Sequence, residues 1–491
     1  MNIQDYYKYS WFSTLAYVDW RRLSDLTSTE EIEDANNASR VPGSTADAVI
    51  NTLGEKIFSP ATKGGEGWKV ISFQPNDAAG FSASLFVKGD TNEKVLAIRG
   101  TEPGSQPYED LLKTDLHEIG EYGMAISQAV SLFNYIQRLR AAAGSFVVPQ
   151  LTLNISPIPP VSGNYVTTSL IPPKFISVNL AFNGTGLGLI APEDNLIVTG
   201  HSLGGHLAAI AARLFPGLID GAVTFNAPGF DPTLGVGGWG SGLVTLGKKL
   251  TEAFVNQLFA PNLPLYEQPI SSFAALGNRV QSMISADSEP GFNNSGVSSF
   301  ITGTAASPRQ PITTERNSHM VEPIMDALAV HALIERLNPS IGMAGARTLF
   351  LAASDNAGKS EEKLLDALAK LFLNDNTPLP IKDIADGVDA WINPGDFGKR
   401  SALHVRAMLI DNKLKELSAG GASLNLVSLV GQSADTLITA AKNPDAIATR
   451  YALKELNPFA VLGADFSSFN TDGRLDLYNK ATGTGNLTDE Y

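Results

Sequence analysis

The sequence predicts an α/β fold, because strand-length apolar runs alternate with helical periodicity and one run leads through a glycine-rich turn straight into a helix. Residues 195–199 (Asn195-Leu196-Ile197-Val198-Thr199) lack period-two alternation, as expected of a central parallel strand covered on both faces. Gly200-His201-Ser202-Leu203-Gly204-Gly205-His206 follows at once and opens onto the helical stretch Leu207-Ala208-Ala209-Ile210-Ala211-Ala212.

In chain order, residues 68–75 and 81–88 alternate as two strands about the turn Asn76-Asp77-Ala78-Ala79-Gly80, and residues 94–99 form a third strand ending at Gly100-Thr101. Ala125, Ile126, Ala129, Val130, Leu132, Phe133 and Ile136 recur at helical spacing over about 122–141. Residues 143–194, rich in Pro, Gly and Asn, read as hairpins or an excursion from the core. Further strands are expected at 221–226 and 279–285, with a second excursion, 229–278, between them; it carries an amphipathic stretch from Leu246 to Phe259. Helical patterns at 345–374, 384–392 and 401–418 are separated by Pro/Asn/Gly breaks. The expected organisation is a domain over 1–340, a helical domain over 341–460 and a tail over 461–491 cut from a longer chain. Ser360-Glu361-Glu362-Lys363 reads as a helix start with acidic residues in its first turn.

A chain of 491 residues has room for two or three cores. The net charge of -14 argues against nucleic acid as a partner, since neutralising phosphates needs clustered Lys and Arg. It also implies that any lipid contact is apolar rather than electrostatic. With no cysteine, disulfides, thiolate metal sites and cysteine nucleophiles are excluded. The N-terminal segment Met1 to Lys8 lacks the basic and apolar regions of a signal peptide, so export would use another route. Asn470-Thr471-Asp472-Gly473-Arg474-Leu475-Asp476 reads as a turn rather than a calcium loop, and no cofactor is expected.

The chemistry points to Ser202. A tight strand-to-helix turn admits only small residues at 200 and 204, thrusts the hydroxyl into open space and places a helix N-terminus where an oxyanion would form. A serine needs a base, and six histidines compete. His201 and His206 belong to the turn and read as structural; His117 precedes the nucleophile in a solvated setting; His331 and His404 sit in helical patterns. His319 stands in a polar loop, Arg316-Asn317-Ser318-His319-Met320, downstream of the last expected strand. That fits the chain order serine, acid, histidine. The acid then falls in Ala286-Asp287-Ser288-Glu289-Pro290, with Asp287 favoured, Glu289 the alternative and Asp231 a third choice. Oxyanion donors are expected from the amide of Leu203 and from Thr101 in the loop after the third strand.

Arg99-Gly100-Thr101 closing a strand, then Gly200-His201-Ser202-Leu203-Gly204-Gly205, then a downstream Asp and His, resemble the class 3 lipases. Within them the chain is most similar to bacterial lipases exported by type I secretion, the RTX-associated group, although their nonapeptide calcium repeats are absent. The resemblance covers about 60–340. It implies an α/β-hydrolase core and secretion without an N-terminal signal; the long excursions 143–194 and 229–278 and the mainly helical region after residue 340 are not part of a minimal lipase. It also implies hydrolysis of triacylglycerol or phospholipid esters at a lipid–water interface by Ser202, His319 and Asp287 (or Glu289), with Thr101 and Leu203 holding the oxyanion. The excursions 143–194 and 229–278 are then candidate lids, with Leu246, Phe254, Leu258 and Phe259 as covering residues. A soluble-ester carboxylesterase and an inactive interaction module are the alternatives.

Overall fold

The computed structural model describes residues 1–18, 20, 57–58, 66–100, 116–168, 172–230, 250–287, 307–315, 321–354, 359–380 and 397–477. Its centre is an α/β arrangement built on a sheet with seven strands among the described residues. These are β1 (Trp68–Gln74), β2 (Ala83–Lys88), β3 (Lys94–Ile98), β7 (Leu196–His201), β8 (Gly221–Phe225), β9 (Val280–Asp287) and β10 (Arg309–Thr314), in the order β1-β2-β3-β7-β8-β9-β10. The first three pair antiparallel, and β3, β7, β8, β9 and β10 run parallel.

Parity divides the apolar strands between two cores, because successive side chains point to opposite faces. Val95, Ala97, Ile197, Val223 and Phe225 join one apolar cluster, while Leu96, Ile98, Leu196, Val198 and Ala222 join the other. This is why the expected strand at 195–199 shows no alternation: both of its faces are covered.

On the second face lie α2 (Leu116–Tyr122), α3 (Ile126–Arg140) and α4 (Leu203–Leu214), with Ile126, Phe133, Leu207 and Ile210 fully buried. The helix expected over 122–141 is thus α3, its start trimmed by the turn at Gly123, where φ is 87°. The excursion after it forms a three-stranded antiparallel sheet of β4 (Val148–Ser156), β5 (Tyr165–Thr167) and β6 (Phe175–Gly184), in the order β4-β6-β5. Asn134 of α3 holds it: its amide donates to the Leu151 carbonyl at 2.8 Å and its side-chain oxygen accepts the Leu151 N–H at 2.6 Å.

On the first face a helix absent from the sequence reading, α1 (Ile3–Leu15), packs against α6 (Glu322–Leu337). Asn2 and Asp5 form a capping box at its start, and the Glu335 carboxylate accepts the next two amides, from Ile3 at 3.0 Å and Gln4 at 3.1 Å. Outside α6 lie α7 (Gly342–Ala352), α8 (Ser360–Leu373) and α9 (Phe397–Ala419), whose Leu349, Phe350, Leu364, Leu403 and Leu414 belong to the same cluster as that face of the sheet. His404 of α9 bridges this layer: one ring nitrogen meets the Tyr7 hydroxyl at 2.9 Å and the other meets Asp326 at 2.9 Å. Beyond α9 the chain is mixed, with α10 (Ala434–Ala441) and α11 (Ile447–Glu455) flanked by the antiparallel ribbon of β11 (Asn425–Ser428) and β12 (Phe459–Leu462). No helix among the described residues is long and apolar enough to cross a membrane.

The second excursion is anchored over residues 250–279. A short helix, α5 (Leu250–Phe254), continues with π-type hydrogen bonding over Val255–Phe259. Phe254, Leu258 and Phe259 are fully buried in the core beside α3 and α4; Leu246 lies outside the described residues. The buried Arg213 at the end of α4 grips this segment with a bidentate pair to Glu252 and hydrogen bonds to the carbonyls of Ile270 (3.0 Å) and Ser271 (3.1 Å).

Candidate active site

The turn between β7 and α4 has the geometry that its glycines predict. Ser202 is forced to φ 54° and ψ -126°, a region that costs a non-glycine residue about 1–3 kcal/mol. Backbone hydrogen bonds hold it there: its N–H donates to Phe225 of β8 at 2.9 Å, and its carbonyl accepts Gly205 at 2.9 Å and His206 at 3.1 Å. The close packing explains the glycines on either side. A Cβ on Gly200 would lie 2.4 Å from the Gly204 carbonyl carbon, and one on Gly204 would lie 2.1 Å from the Ile98 carbonyl oxygen. The first turn of α4 carries no acidic side chain, so no carboxylate of the helix's own offsets the positive end beside Ser202.

The end of β3 closes on this turn. A Cβ on Gly100 would stand 2.6 Å from both the His201 carbonyl and the Tyr17 hydroxyl, and 3.4 Å from the Ser202 Cβ. The loop after β3, expected to supply an oxyanion donor, therefore starts against the Ser202 turn. Gly100→Ala is expected to destabilise the protein by about 1–3 kcal/mol, because a backbone carbonyl cannot rotate out of the way as a side chain can. Its denaturant midpoint, compared with that of wild type, measures this.

Both histidines of the turn are engaged elsewhere. His201 Nδ1 meets the Tyr17 hydroxyl at 3.1 Å, which ties the turn to the end of α1. The fully buried His206 receives the Ala125 N–H on Nε2 at 3.4 Å and donates from Nδ1 to the Pro228 carbonyl at 3.3 Å. One acceptor and one donor is the pattern of a neutral imidazole, and burial pushes its pKa down to about 4. Its ring stacks on Phe230, with centroids 4.3 Å apart, and Phe230 stacks on Phe273 at 3.6 Å. The Arg213 guanidinium lies 4.4 Å from the centroid of Phe273.

At the same C-terminal end of the parallel strands, β9 runs through to Asp287 rather than stopping at 285. The reason is β10, which sequence reasoning missed: it pairs Thr313 with Ala286 and Thr314 with Asp287, lengthening the strand. Asp287 is thus the last residue of β9. The connection containing His319 joins the end of β10 to the start of α6; His319, Thr101, Glu289 and Asp231 lie outside the described residues. The Leu203 amide opens α4 directly after Ser202.

Sequence reasoning also missed the polar chain that sets the spacing of these strand ends. The buried Asn226, at φ 47°, accepts the Ser285 N–H on its side-chain oxygen at 2.9 Å and donates its own N–H to Met283 at 2.9 Å. The Ser285 hydroxyl meets that of Thr314 at 2.8 Å, so β8, β9 and β10 are tied together where Asp287 emerges. An asparagine ending an apolar strand was the available signal, since Asn tolerates the left-handed region. Among the described residues, no group of three or more His, Asp or Glu side chains is placed to hold a metal ion.

No model of a known protein family matches this chain, and no curated protein matches it. Among solved structures it is similar to the Lip2 lipase of Yarrowia lipolytica, with 11% identity over 57% of this chain and 70% of that chain and a TM-score of 0.24.

Proposed function

We propose that this chain has an α/β-hydrolase core and hydrolyses carboxylic esters of lipids, with Ser202 as the nucleophile. The observation that carries the reading is the strained Ser202 between a central parallel strand and a helix N-terminus, the arrangement of a nucleophile elbow. The Ser202 hydroxyl attacks the ester carbonyl carbon as His319 takes its proton. The C–O bond then breaks, and the alcohol leaves with that proton. Water repeats the sequence on the acyl-enzyme and releases the acid. Asp287, or Glu289, orients His319, and the Leu203 and Thr101 amides receive the charge that develops on the carbonyl oxygen. The emergence of β9 and β10 at the same end as Ser202 supports this assignment.

A fluorophosphonate probe tests the nucleophile. Wild type is expected to label and Ser202→Ala to remain unlabelled; failure of folded wild type to label, or labelling of the variant, overturns the reading. Rates on nitrophenyl butyrate, emulsified triolein and phosphatidylcholine then separate a lipid esterase from one confined to soluble esters.

A further inference from the structure

Residues 141–192 are chemically unlike the rest of the chain. Asp, Glu, Lys and Arg make up 18% of the protein, yet this stretch contains only Lys174 among them and no histidine. It forms the β4-β6-β5 sheet, which has one apolar face along Leu151, Leu153, Ile155, Ile176, Val178 and Leu180, set by the register Leu151↔Leu180, Leu153↔Val178 and Ile155↔Ile176. Most of that face is spent on the core, but its apolar character continues past it. Ile158 is 70% exposed and Val161 fully exposed in the β4–β5 loop, with Ile155 and Tyr165 also exposed beside them.

Two further features suggest that the tip is built. Pro157, Pro159 and Pro160 fix φ through the loop, so little backbone freedom is left to lose when Ile158 and Val161 are immobilised. At its base Ser156 Oγ accepts the Ile158 N–H at 3.0 Å, and Tyr165 packs edge-on against Phe175 with centroids 5.6 Å apart. The tip also lies toward the end of the molecule that carries Ser202. Lys174, next to Phe175, donates to the Tyr122 hydroxyl at 3.2 Å; Tyr122 leads through a short turn to Ala125, whose amide meets His206 one helical turn past Ser202.

We propose that the β4–β5 tip is the point at which the protein docks on an uncharged or zwitterionic lipid surface, with Ile158 and Val161 entering the acyl region and holding the Ser202 end toward the lipid. The inference rests on the lipid-ester reading and names where that site meets its bulk substrate. Charge selects the occupant. A chain of net charge -14 is repelled by an anionic bilayer, whereas a tip without ionic groups enters phosphatidylcholine or a triacylglycerol droplet with no ion to desolvate.

The test compares wild type with the double variant Ile158→Asp/Val161→Asp. Both side chains are exposed, so neither change opens a core cavity; partitioning is measured in a Ser202→Ala background to prevent lipid turnover. Sedimentation with phosphatidylcholine vesicles is expected to fall at least about tenfold in the double variant, since the two apolar side chains no longer leave water. In the Ser202-containing protein, hydrolysis of a short soluble ester stays at the wild-type rate while hydrolysis of emulsified triolein drops. Val161→Trp gives a direct readout: its added fluorescence is expected to be quenched by brominated phosphatidylcholine, and more weakly by vesicles rich in brominated phosphatidylglycerol. Equal partitioning of wild type and double variant, or an unquenched indole, overturns the proposal. So does a wild-type dimer in light scattering that the double variant dissociates, because the tip then binds a second copy. Partitioning lost in the double variant of a protein with no esterase activity supports the docking surface and overturns only the ester reading.

Discussion

Ser202→Gly is expected to abolish ester hydrolysis and, in the same protein, to raise its stability. Removing a serine nucleophile from a working site lowers kcat by roughly 10^4-fold or more. A serine retained for packing or hydrogen bonding would instead lose stability on the same change. At φ 54° and ψ -126° the side chain is held against its own backbone preference, and glycine relieves about 1–3 kcal/mol of that strain. The gain is partly offset by about 0.5–1 kcal/mol of extra chain entropy in the unfolded state. A net gain near 1 kcal/mol is expected, read as a higher denaturant midpoint with an unchanged slope. Ser202→Ala serves as the control, losing activity equally without the backbone relief. A Ser202→Gly protein that is both inactive and less stable would remove the functional explanation for the strain.

The Ser202 turn was legible because everything that dictates it is local: an apolar strand, small residues at fixed offsets and a helix-forming run. The strands β1, β2, β3, β7 and β8 were legible for the same reason, each found within two residues of its expected ends. What escaped was fixed by distant partners. The α1 helix has no polar stripe, since Tyr6, Tyr7, Tyr9, Ser10, Trp11, Phe12, Ser13 and Thr14 are all buried between the sheet and α6, so its periodicity is flat. Strand β10 carries Arg309, Gln310 and Pro311 and ends the described sheet, where a missing N–H is tolerated, so its composition argued against a strand. The nearness of Gly100 to Ser202 and the Asn226–Ser285–Thr314 chain join segments far apart in sequence, and no local pattern encodes them.

Acid is expected to destabilise the fold well above the carboxylate range, through two buried imidazoles. Burial pushes His206 and His331 down to about 4, whereas both titrate near 6.5 in the unfolded chain. Between those values the unfolded state binds the protons and the folded state does not, so stability falls as pH falls from about 6.5 toward 4 and is flat above that window. Each imidazole contributes a loss on the order of 2 kcal/mol by pH 5. The two can be told apart by their surroundings. His206 uses both ring nitrogens to hold Ala125 and Pro228 beside the Ser202 turn, whereas among the described residues neither nitrogen of His331 has a hydrogen-bond partner, and its ring packs T-shaped with Phe350, 5.7 Å between centroids. His331→Leu is therefore expected to leave stability near neutral pH within about 1 kcal/mol of wild type, since it also removes an unsatisfied N–H, and to halve the acid sensitivity. Urea midpoints at pH 7.5, 6 and 5 measure the effect. If the wild-type and His331→Leu curves run parallel across that range, His331 is not a source of the acid lability, and the loss must be carried by His206 and groups beyond it.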